Sequence, residues 1–486
     1  MKKSIVLLLL ILFAGSLVRF YKFSAPIADW HSWRQVDTSS VSRIFVQKGF
    51  DLLHPRFHDV SNVPSGKDNP EGYRFVEFPL YNLLQGGLFV LFDSLTLEQW
   101  GRLVTIFASM SSTLLLYGVL SRHTAKVTAL LSSGFFALMP YSIYFGRVTL
   151  PDPLMVSASL VAIFFFNLWT DTFGGKYMTK HAVWFLLSML FAASALLLKP
   201  FAIFFLLPIV FLAYQTFGLS MVRKWQLYVF ALVAVVPLLW WRNWMLQFPE
   251  GIPVNEWLFN GGNIRFKGAF FYWIFADRIG RLMLGYFGIA LFILGILALF
   301  SKFFLKSKKD LLFLLSFPLA SLLYVIVVAR GNVQHDYYQI PIIPSIAILL
   351  GFGATFLLRP INSLHKYASM TLFVLCTVGM FLFGWYHVRD FFNINNPNII
   401  VAGEMVDKLT PKDAKVIAFY EGDTTFLYQT KRMGWASLEK PLPEMIEMGA
   451  EYLAIVNPTQ QDIDGLGKEY PVVASDPRYL ILKLQE

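Results

Sequence analysis

The sequence predicts a polytopic α-helical membrane protein with a large first outer loop and a small C-terminal α/β domain. Of its 486 residues, 56% are apolar and only 15% are charged, whereas charged residues make up about a quarter of a soluble globular domain. Uncharged apolar runs recur along the chain, each near the ~20 residues that cross a bilayer core. From about residue 388 these runs stop, and short helix and strand patterns take their place.

The net charge and the cysteine content exclude some classes of partner and site. The formal net charge is +10, and most Lys and Arg residues stand in short clusters between apolar runs. The positive-inside rule explains such clusters as cytoplasmic loops, so they do not indicate a nucleic-acid partner. The single cysteine, Cys376, excludes an intrachain disulfide framework and a cysteine-based metal site.

The first apolar run, Ser4–Val18, follows two lysines and has no A-x-A cleavage pattern after it. We therefore expect a retained first span with its amino terminus inside. The segment Phe78–Phe92 has no basic residue on its far side, where the polar stretch DSLTLEQ with Asp93 and Glu98 follows, and this favours an outer-leaflet or re-entrant helix over a full span. This choice leaves the strongest basic cluster, Lys302–Lys309, on the inner side.

About eleven transmembrane helices result from this assignment. They are Ser4–Val18, Trp100–Leu120, Val127–Phe145, Leu154–Trp169, Val183–Leu198, Phe201–Tyr214, Leu227–Trp241, Ile279–Phe300, Leu311–Val328, Ile340–Leu358 and Ser369–Trp385.

The predicted domains are a transmembrane catalytic domain, residues 1–387, and an exported C-terminal α/β domain, residues 388–486. The first outer loop, residues 19–100, belongs to the former. In the C-terminal domain the apolar patterns predict two helices and three strands. The helices are Val401–Leu409 and Leu442–Met448, and the strands are Ala414–Phe419, Glu451–Val456 and Tyr479–Leu484.

The stretch Asp29–Phe45, DWHSWRQVDTSSVSRIF, contains the main candidate for chemistry. In a helix, Asp37 shares a stripe with aromatic and aliphatic residues such as Ile44, because residues three and four apart share a face. A carboxylate on that side needs a partner or a function. The structural alternative is a surface ion pair of Asp37 with Arg34 or Arg43.

Two further groups lie at predicted outer ends of spans. In RVTLPDPLM, Arg147 precedes Asp152, which is either a substrate ligand or a plain helix cap favoured by the helix dipole. In HDYYQ, His335 and Tyr338 are either ligands or part of an interfacial aromatic belt. Lys199 stands at a proline break between two apolar runs, where a charge is expensive unless it is used or snorkels to the interface.

The order of these motifs along the chain is similar to that of a known protein family. After the Asp37 loop come E-F-P-L-Y, R-x-x-x-P-D-P-L-M and H-x-Y-Y-x-x-P-x-x-P. Together they resemble the GT-C membrane glycosyltransferases, and in particular the bacterial relatives of protein O-mannosyltransferases and aminoarabinose transferases (glycosyltransferase family 39-like). The likeness covers roughly Met1–Leu358.

The resemblance implies a sugar donor linked to a polyprenyl phosphate such as undecaprenyl phosphate, and a catalytic carboxylate from the first outer loop, here Asp37. The aminoarabinose branch usually has an acidic residue beside this Asp and a Lys before its double proline. This chain has Val36 and Thr38 beside Asp37, and Phe78 at the Lys position.

The expected reaction is an inverting transfer to an acceptor hydroxyl of a glycan, lipid or protein on the outer side of a bacterial inner membrane. Asp37 is the expected general base, and cations stabilise the leaving phosphate. The expected substrate-binding residues are Arg34, Arg74, Glu77, Arg147, Asp152, Lys199, His335 and Tyr338. A divalent metal is compatible with Glu77, Asp152 and His335 as ligand types, but no spacing requires one.

Three alternatives remain open. A transporter of lipid-linked glycans would place ionisable residues inside its spans, whereas the charges here stand in loops. A polysaccharide polymerase or ligase would depend on Arg and His residues of late loops, which would make Asp37 dispensable. A non-catalytic scaffold for the C-terminal domain would leave the position of Asp37 unexplained.

Overall fold

The computed structural model describes residues 2–173, 178–301, 304–307, 309–359 and 366–485. Residues 302, 303 and 308 of the predicted basic cluster lie outside the described residues. The chain forms two compact units, called here the helical unit and the sheet unit. The helical unit comprises Met1–Phe23, Leu103–Trp240 and Asn255–Asp390, and the sheet unit comprises Ser24–Arg102, Trp241–Val254 and Phe391–Glu486.

The helical unit consists of long apolar helices joined by short ones. Its α-helices, two of which extend into the sheet unit, are Lys2–Arg19, Leu97–His123, Lys126–Leu138, Pro140–Phe145, Asp152–Thr172, Met178–Leu198, Ala202–Phe205, Leu207–Phe217, Trp225–Met245, Trp257–Asn260, Gly268–Phe271, Gly288–Leu299, Asp310–Val327, Ala329–Gln334, Ile343–Leu358 and Lys366–Val388. A π-helix covers Tyr272–Met283, and 3-10 turns cover Gly218–Arg223, Gly261–Phe266, Asp336–Ile342 and Arg389–Phe392.

In the described part of the chain, eight helices are long and apolar enough to cross a membrane, and a bent pair raises this to nine. Three predicted spans do not meet the same criterion as single straight helices. The helix Lys2–Arg19 has 18 residues with basic residues at both ends, and Lys126–Leu138 has only 13 residues. The span predicted at Ile279–Phe300 is instead broken, with an angle of 111° between Gly268–Met283 and Gly288–Leu299.

The segment predicted as an outer-leaflet or re-entrant helix forms Leu80–Leu91, a helix of 12 residues in the sheet unit. At 1.5 Å per residue, such a helix is about 18 Å long, well short of the ~30 Å hydrocarbon core. Its length therefore agrees with a segment that does not cross the membrane.

The sheet unit contains a five-stranded mixed sheet in the order β2-β1-β3-β5-β4. The strands are β1 Val416–Phe419, β2 Gly434–Trp435, β3 Tyr452–Val456, β4 Val472–Asp476 and β5 Tyr479–Lys483. Strand β1 is parallel to β2 and β3, while β5 is antiparallel to β3 and β4. The helices of this unit are Ser32–Lys48, Leu80–Leu91, Asn398–Leu409, Thr424–Thr430, Leu442–Glu447 and Gln460–Glu469, with a 3-10 turn at Pro249–Gly251.

Both faces of the sheet are covered, because successive side chains of a strand point to opposite faces. Val416 and Ala454 belong to one apolar cluster, whereas Ile417 and Leu453 belong to the other. The two helices and three strands predicted from the sequence all form, with shifts of one to three residues at their ends. The helix Thr424–Thr430 was not predicted, because threonine and aromatic residues are poor helix formers.

The first outer loop contributes to this sheet. The backbone nitrogen of Val60 donates to the carbonyl of Gly434 over 2.8 Å, and the nitrogen of Gly434 donates to the carbonyl of His58 over 2.9 Å. A Cβ atom at Gly434 would clash with the carbonyl oxygen of Val416, so only glycine fits between these chains. Residues 58–60 therefore cover the edge of the sheet beside β2.

This pairing explains why the compact units differ from the domains predicted at residues 1–387 and 388–486. Ala28 and Val60 of the first outer loop are 1% exposed and lie in the two apolar clusters of the sheet. Burial of their apolar area stabilises the loop against the C-terminal segment. Residues 24–102 thus share a core with residues 391–486.

Candidate active site

The helix Ser32–Lys48, called here the Asp37 helix, is buried on nearly all sides. Twelve of its 17 residues are buried, although its sequence is rich in serine, threonine and charged residues. The helix begins after His31, which has a φ of 53°, in the left-handed region that non-glycine residues seldom adopt. A buried polar helix needs polar partners on every side.

The Asp37 carboxylate is 5% exposed and both of its oxygens have partners. Arg74 Nη2 lies 2.6 Å from Oδ2, and the Thr424 hydroxyl donates to Oδ1 over 2.7 Å. The alternative of a surface ion pair with Arg34 or Arg43 is wrong, because those guanidiniums pair with other carboxylates. The burial and its partners therefore single out Asp37 in the way expected of a functional carboxylate.

A second ion pair stands beside the first. Arg34 Nη2 lies 2.6 Å from Glu77 Oε1, and Arg34 Nη1 donates to the Thr38 hydroxyl over 3.0 Å. Both pairs line one small cavity of about 20 Å³, which is room for about one water molecule. Its lining residues are Arg34, Asp37, Thr38, Val41, Pro55, Arg74, Val76, Glu77, Pro79 and Asn82. Four of the residues predicted from the sequence therefore meet in one cavity within the sheet unit.

The other polar side of the Asp37 helix faces protein as well. Gln85 Nε2 donates to the Ser39 hydroxyl over 2.9 Å, and the Ser42 hydroxyl donates to Gln85 Oε1 over 2.7 Å. Asn82 Nδ2 donates to the carbonyl of Thr38 over 2.6 Å. The helix Leu80–Leu91 therefore supplies amides that match the polar groups on this side.

Arg43 does not contact Asp37. Its Nη2 lies 2.9 Å from Glu98 Oε1, and its guanidinium stacks 3.6 Å from the centre of the Tyr428 ring. The Tyr428 hydroxyl donates to the same Glu98 oxygen over 2.6 Å. Such stacking over an aromatic face adds to the ion pair, so Arg43 joins the loop to the C-terminal segment.

The Arg74 guanidinium is buried beside the Asp37 carboxylate. Burial lowers the pKa of Arg74, and the negative charge of Asp37 acts against this lowering. An arginine remains protonated under ordinary conditions. The Arg74 guanidinium also lies 4.7 Å above the Phe57 ring, which holds its plane beside Asp37.

Asp59 is a second buried carboxyl of the sheet unit, and it was not predicted. Burial raises the pKa of Asp59 to about 7, while hydrogen bonds from Ser61 act against the rise and the charge of Asp37 adds to it. The Ser61 hydroxyl donates to Oδ2 over 3.0 Å. Asp59 is therefore protonated over much of the acid range.

This raised pKa predicts a specific pH dependence of stability. Between pH 3.8, the ordinary value, and about pH 7, the folded protein holds a proton that the unfolded chain releases. The free energy of unfolding then falls as pH rises through this window. We expect Asp59→Asn to remove this fall, measured as the difference in melting temperature between pH 4.5 and 7.5 for the purified protein and the variant.

The neighbouring His58 makes the comparison with the variant necessary. Burial lowers the pKa of His58 well below its ordinary value, so its contribution to stability rises with pH and opposes that of Asp59. The difference in pH profile between the wild-type protein and Asp59→Asn therefore gives the contribution of the Asp59 carboxyl alone. Identical pH profiles for the two proteins would contradict the prediction.

The remaining predicted residues belong to the helical unit. Lys199 is 7% exposed, and its Nζ lies 3.7 Å from Asp152 Oδ2, so it is buried beside a carboxylate rather than snorkelling. Asp152 is the first residue of its helix, and its side chain is not the N-cap. Arg147 Nη2 donates to the carbonyl of Lys22 over 3.1 Å.

His335 and Tyr338 form part of an aromatic cluster in the helical unit. The His335 ring lies 5.4 Å from the Tyr337 ring and 6.0 Å from that of Trp257. The carbonyl of Tyr338 accepts from the Tyr324 hydroxyl over 3.0 Å. Among the described residues, no group of three or more His, Cys, Asp or Glu side chains is arranged to hold a metal ion.

Comparison with known proteins agrees with the motif order in the sequence. The model of the family described as dolichyl-phosphate-mannose-protein mannosyltransferase matches residues 72–241. This segment contains Arg74, Glu77, Arg147, Asp152 and Lys199. A search of curated proteins finds no significant match.

Solved structures with the same fold cover nearly the whole chain. ArnT from Cupriavidus metallidurans bound to undecaprenyl phosphate superposes with a TM-score of 0.64 at 14% identity, covering 98% of this chain and 97% of that one. The Archaeoglobus fulgidus oligosaccharyltransferase in complex with Zn and sulfate gives 0.58 at 11% identity, covering 95% and 69%. The GT-C fold predicted from the sequence, with multiple membrane spans and a small C-terminal sheet domain, is confirmed.

Proposed function

We propose that this protein is a membrane glycosyltransferase that transfers one sugar from a polyprenyl-phosphate donor to an acceptor hydroxyl. The observation that carries the proposal is the Asp37 carboxylate, which is buried, lies 2.6 Å from Arg74 Nη2 and lines a small cavity. A base fixed in this way meets the first requirement of hydroxyl activation, which is position.

The proposed step is a single displacement. The acceptor oxygen forms a bond to the anomeric carbon from the side opposite the phosphate. The bond between this carbon and the phosphate oxygen breaks, and the polyprenyl phosphate leaves with the electron pair. The acceptor proton passes to Asp37, and the configuration at the anomeric carbon inverts.

The ion pairs around Asp37 have distinct roles in this proposal. Arg74, whose Nη2 lies 2.6 Å from Asp37 Oδ2, holds the base in position. Arg34 faces the same cavity and can hold a phosphate through two parallel hydrogen bonds, with Glu77 as its resting partner. Phe78, at the position where the aminoarabinose branch has a Lys, packs 5.0 Å from the Trp241 ring and supplies no charge.

In the helical unit, we propose that Lys199 is a cation for the lipid phosphate, released from Asp152 when the donor binds. A buried lysine acts as a compact point charge. Arg147, His335 and Tyr338 remain proposed substrate-binding residues of the same unit. His335 and Tyr338 offer a ring nitrogen and a phenol hydroxyl as hydrogen-bonding groups.

The comparisons support the donor class. ArnT was crystallised with undecaprenyl phosphate, and the matching family is described by a dolichyl-phosphate sugar donor. Undecaprenyl phosphate and dolichyl phosphate are both lipid phosphates, and each is the leaving group when its sugar is transferred. We further propose that the protein lies in the cytoplasmic membrane with the sheet unit on the outer side, since the predicted inner loops carry the basic clusters.

The test is a transfer assay with the full chain in detergent. Undecaprenyl-phosphate carrying radiolabelled sugars, taken one at a time, is incubated with a cell-envelope extract as acceptor. We expect label to move from one donor to the lipid, glycan or protein fraction, with inverted configuration at the anomeric carbon by NMR. Retained configuration, or export of intact lipid-linked sugar without a new glycosidic bond, would contradict the proposal.

A further inference from the structure

The C-terminal segment contributes a side chain to the candidate active site. The Thr424 hydroxyl donates to Asp37 Oδ1 over 2.7 Å, a distance typical of a short hydroxyl-to-carboxylate hydrogen bond. The two residues are separated by 387 positions in the chain. No sequence motif includes Thr424, and none of the roles proposed above uses it.

The helix Thr424–Thr430, called here the Thr424 helix, is held firmly at its amino end. Asp423 caps it by accepting from the backbone nitrogen of Thr425 over 2.7 Å. The Thr425 hydroxyl donates to Ser32 Oγ over 2.9 Å. A capped first turn has little freedom, so the position of the Thr424 hydroxyl is determined by the fold.

Contacts farther along the Thr424 helix fix it against the Asp37 helix and its flanking residues. The Tyr428 hydroxyl lies 2.9 Å from the Ser39 hydroxyl, and Gln429 Nε2 donates to the carbonyl of Ile27 over 3.0 Å. Tyr428 is only 2% exposed. Buried hydrogen bonds of this kind specify one arrangement, because breaking them leaves polar groups without partners.

The geometry at Asp37 leaves room for a substrate hydroxyl. A carboxylate offers about four lone-pair sites, of which Arg74 and Thr424 occupy one on each oxygen. These two donors approach different oxygens and therefore hold the carboxylate against rotation about its χ2 angle, which is otherwise broad. A remaining lone pair of the Asp37 carboxylate therefore keeps a constant direction, in which it can accept a hydrogen bond from a substrate hydroxyl.

We propose that Thr424 is a positioning residue that the C-terminal segment supplies to the general base. This inference rests on the proposed function and assigns a role to the C-terminal segment. The Thr424 hydroxyl orients Asp37 toward the acceptor hydroxyl. It does not bind the acceptor, the sugar or the lipid.

The test compares three variants of the full chain in the transfer assay. Thr424→Val removes the hydroxyl and keeps the shape, and Thr424→Ser restores the hydroxyl. Thr425→Val is the matched control, since it deletes a neighbouring buried hydroxyl whose hydrogen bond goes to Ser32 and not to Asp37. Melting temperatures are measured for all three, because each Val variant loses the contacts of its hydroxyl, which for Thr424 include a longer one of 3.5 Å to the carbonyl of Trp33.

We expect Thr424→Val to lower kcat about tenfold to a hundredfold, the scale of a misplaced catalytic group, with the KM for the lipid-linked donor unchanged. Thr424→Ser should recover activity to within about threefold of the wild type, and Thr425→Val should keep it while melting at a temperature similar to Thr424→Val.

Different outcomes overturn different claims. Wild-type kcat in Thr424→Val, beside an inactive Asp37→Asn, would overturn the role of Thr424 alone. Equal losses of kcat in Thr424→Val and Thr425→Val would show a general effect of the Thr424 helix and would overturn it too. A rise in kcat for Thr424→Val would identify a blocking contact instead. Full activity in Asp37→Asn would overturn the proposed function itself.

Discussion

Asp37→Asn is expected to lower the rate of sugar transfer by about 10²–10⁴-fold, the usual contribution of a general base. The amide keeps the size of the carboxylate and one oxygen that can accept a hydrogen bond. It cannot take up a proton from the acceptor hydroxyl. The loss should therefore appear in kcat, with little change in the KM for the lipid-linked donor.

The measurement is the initial rate of label transfer at saturating undecaprenyl-phosphate sugar, with folding monitored by circular dichroism in the same detergent. Asp413→Asn is the matched control, because Asp413 is an exposed carboxylate of the sheet unit. It should transfer label at the wild-type rate. If the Asp37→Asn variant were as active as wild type, Asp37 would not be the base, and a polysaccharide polymerase or ligase would become the favoured function.

Arg74→Met should be the most destabilising single change at the site. It leaves the Asp37 carboxylate buried without its cation, and breaking a buried ion pair in this way costs about 3–5 kcal/mol in the free energy of unfolding. Methionine retains much of the volume and the contact with the Phe57 ring. The loss should therefore come from the charge and not from a cavity.

Two comparisons separate this effect from general damage. The double variant Arg74→Met with Asp37→Asn should be more stable than the sum of its single changes, because no uncompensated charge remains. Arg56→Met breaks a more exposed pair with Glu71, whose oxygen lies 3.0 Å from the Arg56 guanidinium, and should cost at most about 1 kcal/mol.

Unfolding in detergent, followed by tryptophan fluorescence against denaturant, gives these free energies. Strictly additive losses in the double variant would mean that Arg74 and Asp37 act on stability independently. A loss for Arg74→Met no greater than that for Arg56→Met would mean that the pair is not held in a water-excluding cavity. Either result would contradict the site as described.

The sequence predicted the features that depend on local pattern. The lengths of the apolar runs identified a membrane protein. The basic residues between these runs indicated which loops lie on the inner side of the membrane. The short apolar runs within Ala414–Phe419 and Glu451–Val456 predicted two of the strands. The spacing of Asp37 within its helix singled out the carboxylate that the structure buries.

Partners distant in the chain could not be predicted from these patterns. Which guanidinium pairs with Asp37 depended on the packing of residues 55–79 against the Asp37 helix, and residues 19–100 contain five arginines. The sheet edge beside β2 was likewise covered by residues 58–60, whose sequence has no strand pattern. Backbone groups pair with whichever chain the fold brings near.

The sequence by itself therefore determined the class of the protein, the approximate place of its helices and strands, and the identity of one buried carboxylate. Only the tertiary structure decided that Arg74 and Thr424 hold that carboxylate, that Arg34 pairs with Glu77, and that the first loop and the C-terminal segment share one core. The physical reason is that secondary structure follows from periodicity within a few residues. Ion pairs and hydrogen bonds between distant segments depend instead on three-dimensional packing. The sequence distance between two such residues does not indicate whether they are in contact.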